Sequence, residues 1–245
     1  MADRIIKDIR YYESNTTNSD GNSMPHDLGQ LFQPTIDTNY IGQRIARKLH
    51  ELKFCYGEFD HIYINLTTTL NENDLVISNR NSDNRIKYID FGLSPTSYNS
   101  LSDIDKNHLL KSITFKVLKH ISLADHLNMK RVSQVELLIA KLDTEIRINY
   151  KTKETSKYKI EISYQINPIS SSTRAIVEYL DKKDNSKRQG YIPLQFYEDI
   201  YPLIDTIILK EDILVFNPKK SFRADLYNNR YKTPIKLIIS DLERL

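Results

Sequence analysis

Between residues 59 and 121 the hydrophobic period changes twice, and no other stretch constrains the fold of this chain as much. Over residues 59–66, Ile62, Ile64 and Leu66 alternate with His61, Tyr63 and Asn65, a period of two that predicts a half-buried strand. Residues 85–93 form a second extended run. The polar stretches 71–74 and 80–84, rich in Asn and Asp, separate the two runs with turn-forming chemistry. The two strands are therefore expected to pair as neighbours. From Ser102 the pattern becomes helical: Ser102 can cap, Asp103 and Asp105 suit the positive end of the helix dipole, and Leu110, Ile113, Val117 and Ile121 share an inward face.

Upstream, residues 40–52 place Ile41, Ile45, Leu49 and Leu52 at helical spacing, with Arg44, Arg47 and Lys48 on other faces. Residues 14–25 are polar and read as a loop. Residues 131–142 are apolar without a decisive period, which leaves helix and strand both open. Alternation resumes at 145–150 and 158–166 and predicts a hairpin, with residues 151–157 as its polar loop. Further β-branched runs lie at 173–180, 206–209, 213–216 and 234–239, while Pro193 and Pro202 confine any helix over 194–204. The pattern predicts an α+β fold, a mainly antiparallel sheet with a few amphipathic helices and a β-rich second half. Its organisation is either two regions, 1–125 and 126–245, or one domain spanning both.

The 245 residues are 40% hydrophobic and 27% charged, enough to bury a core, and no repeat of 20 to 50 residues is present. A net charge of +3 is too balanced to select a nucleic acid or a membrane as partner. Cys55 is the only cysteine, so no intramolecular disulfide can form. No apolar run approaches the ~20 residues that cross a bilayer, and the first residues lack a secretory signal. A cytoplasmic protein is expected. On that expectation the sequons at Asn15 and Asn65 are chance matches.

Linear motifs for catalysis fail on inspection. Asp90-Phe91-Gly92 spells the magnesium-binding triplet of protein kinases, but neither a glycine-rich loop nor a catalytic-loop motif accompanies it. A strand end with Gly92 supplying a turn explains it better. Asp103 and Asp105 could reach a common metal, yet acids are favoured in a helix's first turn without one. His61, His108, His120 and His126 lack zinc-ligand spacing. Cys55, just past an apolar helix face, reads as a buried structural thiol rather than a nucleophile. No enzyme activity, no cofactor and no metal are expected.

One late segment has the composition of a binding surface. Lys219, Lys220, Arg223, Arg230 and Lys232 interleave with Phe222, Tyr227 and Tyr231, a mixture that suits either a protein partner or phosphates and stacked bases. An ordinary solvated loop is the competing explanation.

The blocks Asp60-His61-Ile62-Tyr63-Ile64-Asn65-Leu66-Thr67, Tyr88-Ile89-Asp90-Phe91-Gly92-Leu93 and Asn99-Ser100-Leu101-Ser102-Asp103 together resemble a segment of bacterial immunity proteins that neutralise polymorphic toxins. The resemblance covers about residues 58–121. It implies a cytoplasmic, non-catalytic protein that binds a cognate toxin domain and occludes its active site. The expected partner contacts are Tyr98 and Asn99 before the helix, and Tyr227, Arg230 and Tyr231 in the late loop. The alternative is a nucleic-acid-binding or processing protein that uses residues 219–232. Sequence leaves the oligomeric state open.

Overall fold

Extended segments Asp8–Ser14 (β1) and His26–Asp27 (β2) precede the first helix, Thr38–Glu51 (α1), in a computed structural model that describes residues 3–16, 23–80, 83–168 and 173–245. Residues 17–22 of the expected 14–25 loop, and 81–82 of the expected 80–84 turn, lie outside the described residues. The chain divides between Ile146 and Arg147 into two units.

In the first unit β3 (His61–Thr67), β4 (Leu75–Ile77) and β5 (Ile86–Gly92) complete a sheet of order β2-β1-β3-β5-β4. The expected neighbours β3 and β5 do pair, with Ile62 beside Lys87 and Leu66 beside Phe91, and they run parallel. β1 is also parallel to β3, while β2 and β4 are antiparallel flanks. Antiparallel pairing still dominates the chain as a whole. Ile9, Tyr11, Ile62, Ile64, Leu66, Ile89 and Phe91 are buried, but so are Tyr63, Asn65 and Thr67 on the other face of β3, so the strand expected to be half-buried is covered on both sides, as the central strand of a parallel core often is.

Helix α1 presses on β1 through Gly42. A Cβ there would lie 2.3 Å from the Ile9 carbonyl oxygen, closer than any side chain can sit. Gly42→Ala would gain about 1 kcal/mol of helix propensity and lose more by pushing α1 off the strand, for a net loss of about 1–2 kcal/mol. Urea unfolding checks this; a midpoint raised above wild type contradicts the packing.

Three more helices follow: α2 (Pro95–Asn99), α3 (Asp103–Ile121) and α4 (His126–Leu142). Ser102 caps α3 as expected, its Oγ accepting from Asp105 N at 3.2 Å. Leu110, Ile113 and Val117 are buried, whereas Ile121 is only half-buried. Lys106, Thr114, Phe115 and Leu118 join the buried set, because α1 and α4 both pack against α3 and widen its covered face. The ambiguous apolar stretch is helix α4, capped by Asp125, with Val132, Val135 and Ile139 inward. Leu127 and Leu137 face solvent and blur its period. Both α3 and α4 belong to the first unit, so the division lies about twenty residues beyond the expected one at 125.

Two buried charges are satisfied within this unit. Arg44, expected away from the core, is 1% exposed and donates to both Asp37 carboxylate oxygens, Nη1 to Oδ1 at 2.8 Å. Asp37 precedes α1 without capping it, since its side chain is committed to Arg44. Glu13, 1% exposed, accepts from the backbone N–H groups of Gly29, Gln30, Leu31 and Phe32 at 2.8–3.2 Å. A carboxylate in that nest of donors holds the 29–32 loop over the end of β1.

The second unit opens with β6 (Ile148–Glu154) and β7 (Tyr158–Tyr164), the predicted hairpin. Its first strand runs through residues 151–154, expected as loop, because a bulge between Asn149 and Lys151 resets the register. The bulged Tyr150 donates its hydroxyl to the Ile204 carbonyl at 2.9 Å. β8 (Arg174–Asp181) and β9 (Lys187–Pro193) extend the antiparallel sheet. A 3-10 turn, Tyr197–Asp199, leads into the short helix α5 (Ile200–Leu203) within the expected 194–204 stretch, and Pro202 lies inside α5 rather than ending it. β10 (Thr206–Lys210), β11 (Ile213–Asn217), helix α6 (Phe222–Asn228), β12 (Ile235–Ile238) and β13 (Glu243–Arg244) complete the chain. β13 pairs with β9, and β10-β11-β12 form a separate three-stranded sheet.

Candidate interaction surface

The late basic and aromatic segment is built around α6 rather than an open loop. Ser221 caps this helix, its Oγ accepting from Ala224 N at 3.2 Å, and the Lys219 N–H donates to the Pro202 carbonyl at 2.8 Å. Ala224 and Asn228 form the buried side, and α5 is the packing neighbour. Four residues apart on the opposite side, Phe222 and Leu226 project outward, 83% and 59% exposed. Both are large apolar side chains with no covering element among the described residues. Tyr227, half-way round the helix, lines a cleft of about 440 Å³ with Glu198, Tyr201, Pro202, Lys219 and Arg223.

Behind α6 the chain is pinned by Asp199, which is 1% exposed. Arg230 Nη2 donates to its Oδ1 at 2.8 Å, the Phe196 N–H donates to Oδ2 at 3.0 Å, and the Tyr231 hydroxyl also donates to Oδ2. Tyr231 in turn accepts from Gln195 N at 2.7 Å. The Arg230 guanidinium lies 5.4 Å from the Phe196 ring centre and 5.3 Å from that of Tyr227. Removing the carboxylate would release three donors at once. Asp199→Ala is expected to cost about 2–3 kcal/mol, discounted because Arg230 is partly solvated, and to loosen α6. Thermal unfolding of the variant, with hydrogen exchange at residues 222–231, tests it; native exchange rates in α6 contradict the pinning role.

Burial and the hydrogen bond to Asp199 push the Tyr231 phenol up to about 12. Burial likewise pushes Tyr63, Tyr98 and Tyr150 up to about 12 from an ordinary value of 10. A phenol held neutral in the folded state costs nothing below pH 10; above it the unfolded chain ionises first and folding loses free energy. Stability is thus expected to fall between about pH 10 and 12. Urea midpoints at pH 9 and 11 measure it, and equal midpoints contradict the assignment.

The five expected contact residues separate sharply. Tyr227 and Arg230 lie at the surface beside the Phe222–Leu226 face, although Arg230 is already committed to Asp199. Tyr231 is half-buried in the same network. Tyr98 does not stand as a contact in this conformation: it is 0% exposed, edge-on to Phe32 at 5.6 Å, with Lys106 Nζ 5.5 Å from its ring centre. A packed core ring has no face left for a partner. Asn99 is exposed but occupied, accepting from Gln33 N and donating to the Leu31 carbonyl, both at 2.8 Å. It fastens the 31–33 loop to α2. Phe222, the most exposed large apolar residue among those described, and Leu226 carried one available signal, a Ser221 cap followed by apolar residues at i and i+4.

Elsewhere the chemistry considered from sequence takes structural forms. Asp90 lies on β5, where it accepts from Arg80 and Asn65. Gly92 forms no turn; a Cβ there would sit 1.9 Å from the Asn71 carbonyl oxygen, so glycine is required by close approach. Asn65 is fully buried, which bars a glycan at its sequon in the folded chain. Cys55 is half-buried rather than buried, and desolvation pushes its thiol up, away from nucleophilic thiolate. Among the described residues no group of three or more His, Cys, Asp or Glu side chains could hold a metal, and no helix is long and apolar enough to cross a membrane. Comparison with known protein families, with curated proteins and with solved structures yields no match to this chain.

Proposed function

We propose that this protein is a cytoplasmic binder of the immunity type, which covers a cognate bacterial toxin domain without performing chemistry on it. The observation that carries the proposal is the outward Phe222–Leu226 face of α6, an apolar pair on a capped helix braced from behind by the Asp199 network. Hot spots of protein interfaces join large apolar or aromatic anchors to a polar rim, and preorganised anchors lose little entropy on binding. Lys219 and Arg223, which border the cleft beside α6, supply such a rim, and neither forms an ion pair among the described residues. The fitting partner surface is an apolar pocket edged by carboxylates.

The basic rim would also meet phosphates, which is the competing nucleic-acid reading. Two features weigh against it. Arg230 and Tyr231, a cation and a stacking ring in that scheme, are committed to Asp199, and Phe222 and Leu226 offer aliphatic and aromatic surface without the repeated stacking platforms of single-strand binders. Co-expression with any toxin-like domain encoded beside this chain tests the proposal: growth should be restored by the wild-type chain, and persistent toxicity would count against it.

A further inference from the structure

The cleft between α5 and α6 is lined by side chains of opposite charge that do not pair with each other. Tyr201 and Pro202 of α5, with Glu198 from the turn before it, form one side; Lys219, Arg223, Ala224 and Tyr227 form the other. The Lys219 N–H donates to the Pro202 carbonyl at 2.8 Å and ties the two sides together. Tyr201 is fixed in turn: its hydroxyl hydrogen-bonds to that of Tyr164 at 2.8 Å, and its ring stands edge-on to Tyr150 at 5.5 Å. The cleft is therefore preformed. Its volume of about 440 Å³ suits a small molecule, and its make-up is that of a small-molecule site, apolar surface with a few placed polar groups.

The three charges select the occupant. Glu198, Lys219 and Arg223 are exposed, and among the described residues none of them forms an ion pair or a side-chain hydrogen bond. Elsewhere in this unit neighbouring charges do pair, Arg147 with Glu178 at 2.5 Å and Lys182 with Glu154 at 2.6 Å. A ligand that carries both signs would satisfy all three groups, its carboxylate taken by Lys219 and Arg223 and its ammonium by Glu198. A purely anionic ligand would leave Glu198 beside a like charge, and a polypeptide terminus brings only one of the two charges. Between the charged groups, Tyr201, Pro202, Ala224 and Tyr227 offer aromatic and aliphatic surface for a flat apolar side chain. We infer that this cleft binds a free aromatic amino acid as its zwitterion.

Titration of the full chain with L-phenylalanine to about 10 mM, followed by amide shifts in two-dimensional nuclear magnetic resonance, tests the inference. Saturable shifts centred on the residues of the cleft, with a Kd below about 1 mM, are the expected result. N-acetyl-L-phenylalanine lacks the ammonium and L-phenylalaninamide lacks the carboxylate, so each should bind about tenfold more weakly. Glu198→Gln should weaken phenylalanine about tenfold and leave the N-acetyl compound unaffected, because that compound has no ammonium to lose a partner. Arg223→Gln should likewise weaken phenylalanine and spare the amide. Both positions are exposed, so the circular dichroism spectrum should not change. No saturable shift, derivatives that bind as tightly as phenylalanine, or a Glu198→Gln variant that weakens all three compounds alike overturns the inference. No toxin domain enters the titration, so its outcome is independent of the immunity reading.

Discussion

Arg44→Leu is expected to lower the stability of the first unit by about 3–5 kcal/mol. Arg44 is among the largest fully buried side chains, and its guanidinium is the charge that neutralises Asp37, which is 7% exposed. It also lies 3.6 Å from Asp143, a carboxylate shared with Lys111 at 2.6 Å. Leucine would keep most of the volume and leave Asp37 buried without its counter-ion. Removing one member of a buried pair costs far more than removing both, because the penalty is the desolvated charge left behind. Asp37→Leu in the Arg44→Leu background should therefore recover much of the loss. Urea denaturation of the wild type, both single variants and the double variant closes the cycle. A single-variant loss below about 1 kcal/mol would show that the pair is not holding α1 to the start of its helix.

Phe222→Ser with Leu226→Ser should leave folding almost untouched and abolish tight binding. Both side chains point away from the Ala224 and Asn228 side that α6 buries, so stability should change by no more than about 0.5 kcal/mol. Central anchors of an interface commonly account for about 2–4 kcal/mol each on truncation, and losing two adjacent ones should weaken binding by at least about a hundredfold. Loss of affinity with an unchanged melting temperature places the anchors in the interface. Loss of both would make the face a folding element instead.

Local physics was legible in the sequence wherever one residue's environment followed from its near neighbours. The alternation of Ile62, Ile64 and Leu66 gave β3, Ser102 gave the start of α3, and Ile160 with Ile162 gave β7. Strand direction was not legible, because a period of two reports which face is buried and is silent on whether β3 and β5 run together or apart. Arg44 looked solvated because its partner Asp37 stands outside the helical repeat. Tyr98 looked like an anchor because the ring that buries it, Phe32, is far away in sequence. The α6 face was only partly visible: seven residues make two turns, too short for a period to declare itself, and its largest apolar residues point outward against the usual pattern. On α6 local pattern and solvent exposure conflict, which is where function is expected to show.

Calorimetric titration of the chain with any toxin-like domain encoded beside it addresses the proposed function most directly. Nanomolar binding that changes less than about tenfold between 50 and 200 mM salt, and that disappears in the Phe222→Ser, Leu226→Ser variant, is the predicted result. No heat of binding to that domain, together with steeply salt-dependent binding to single-stranded nucleic acid, would contradict it.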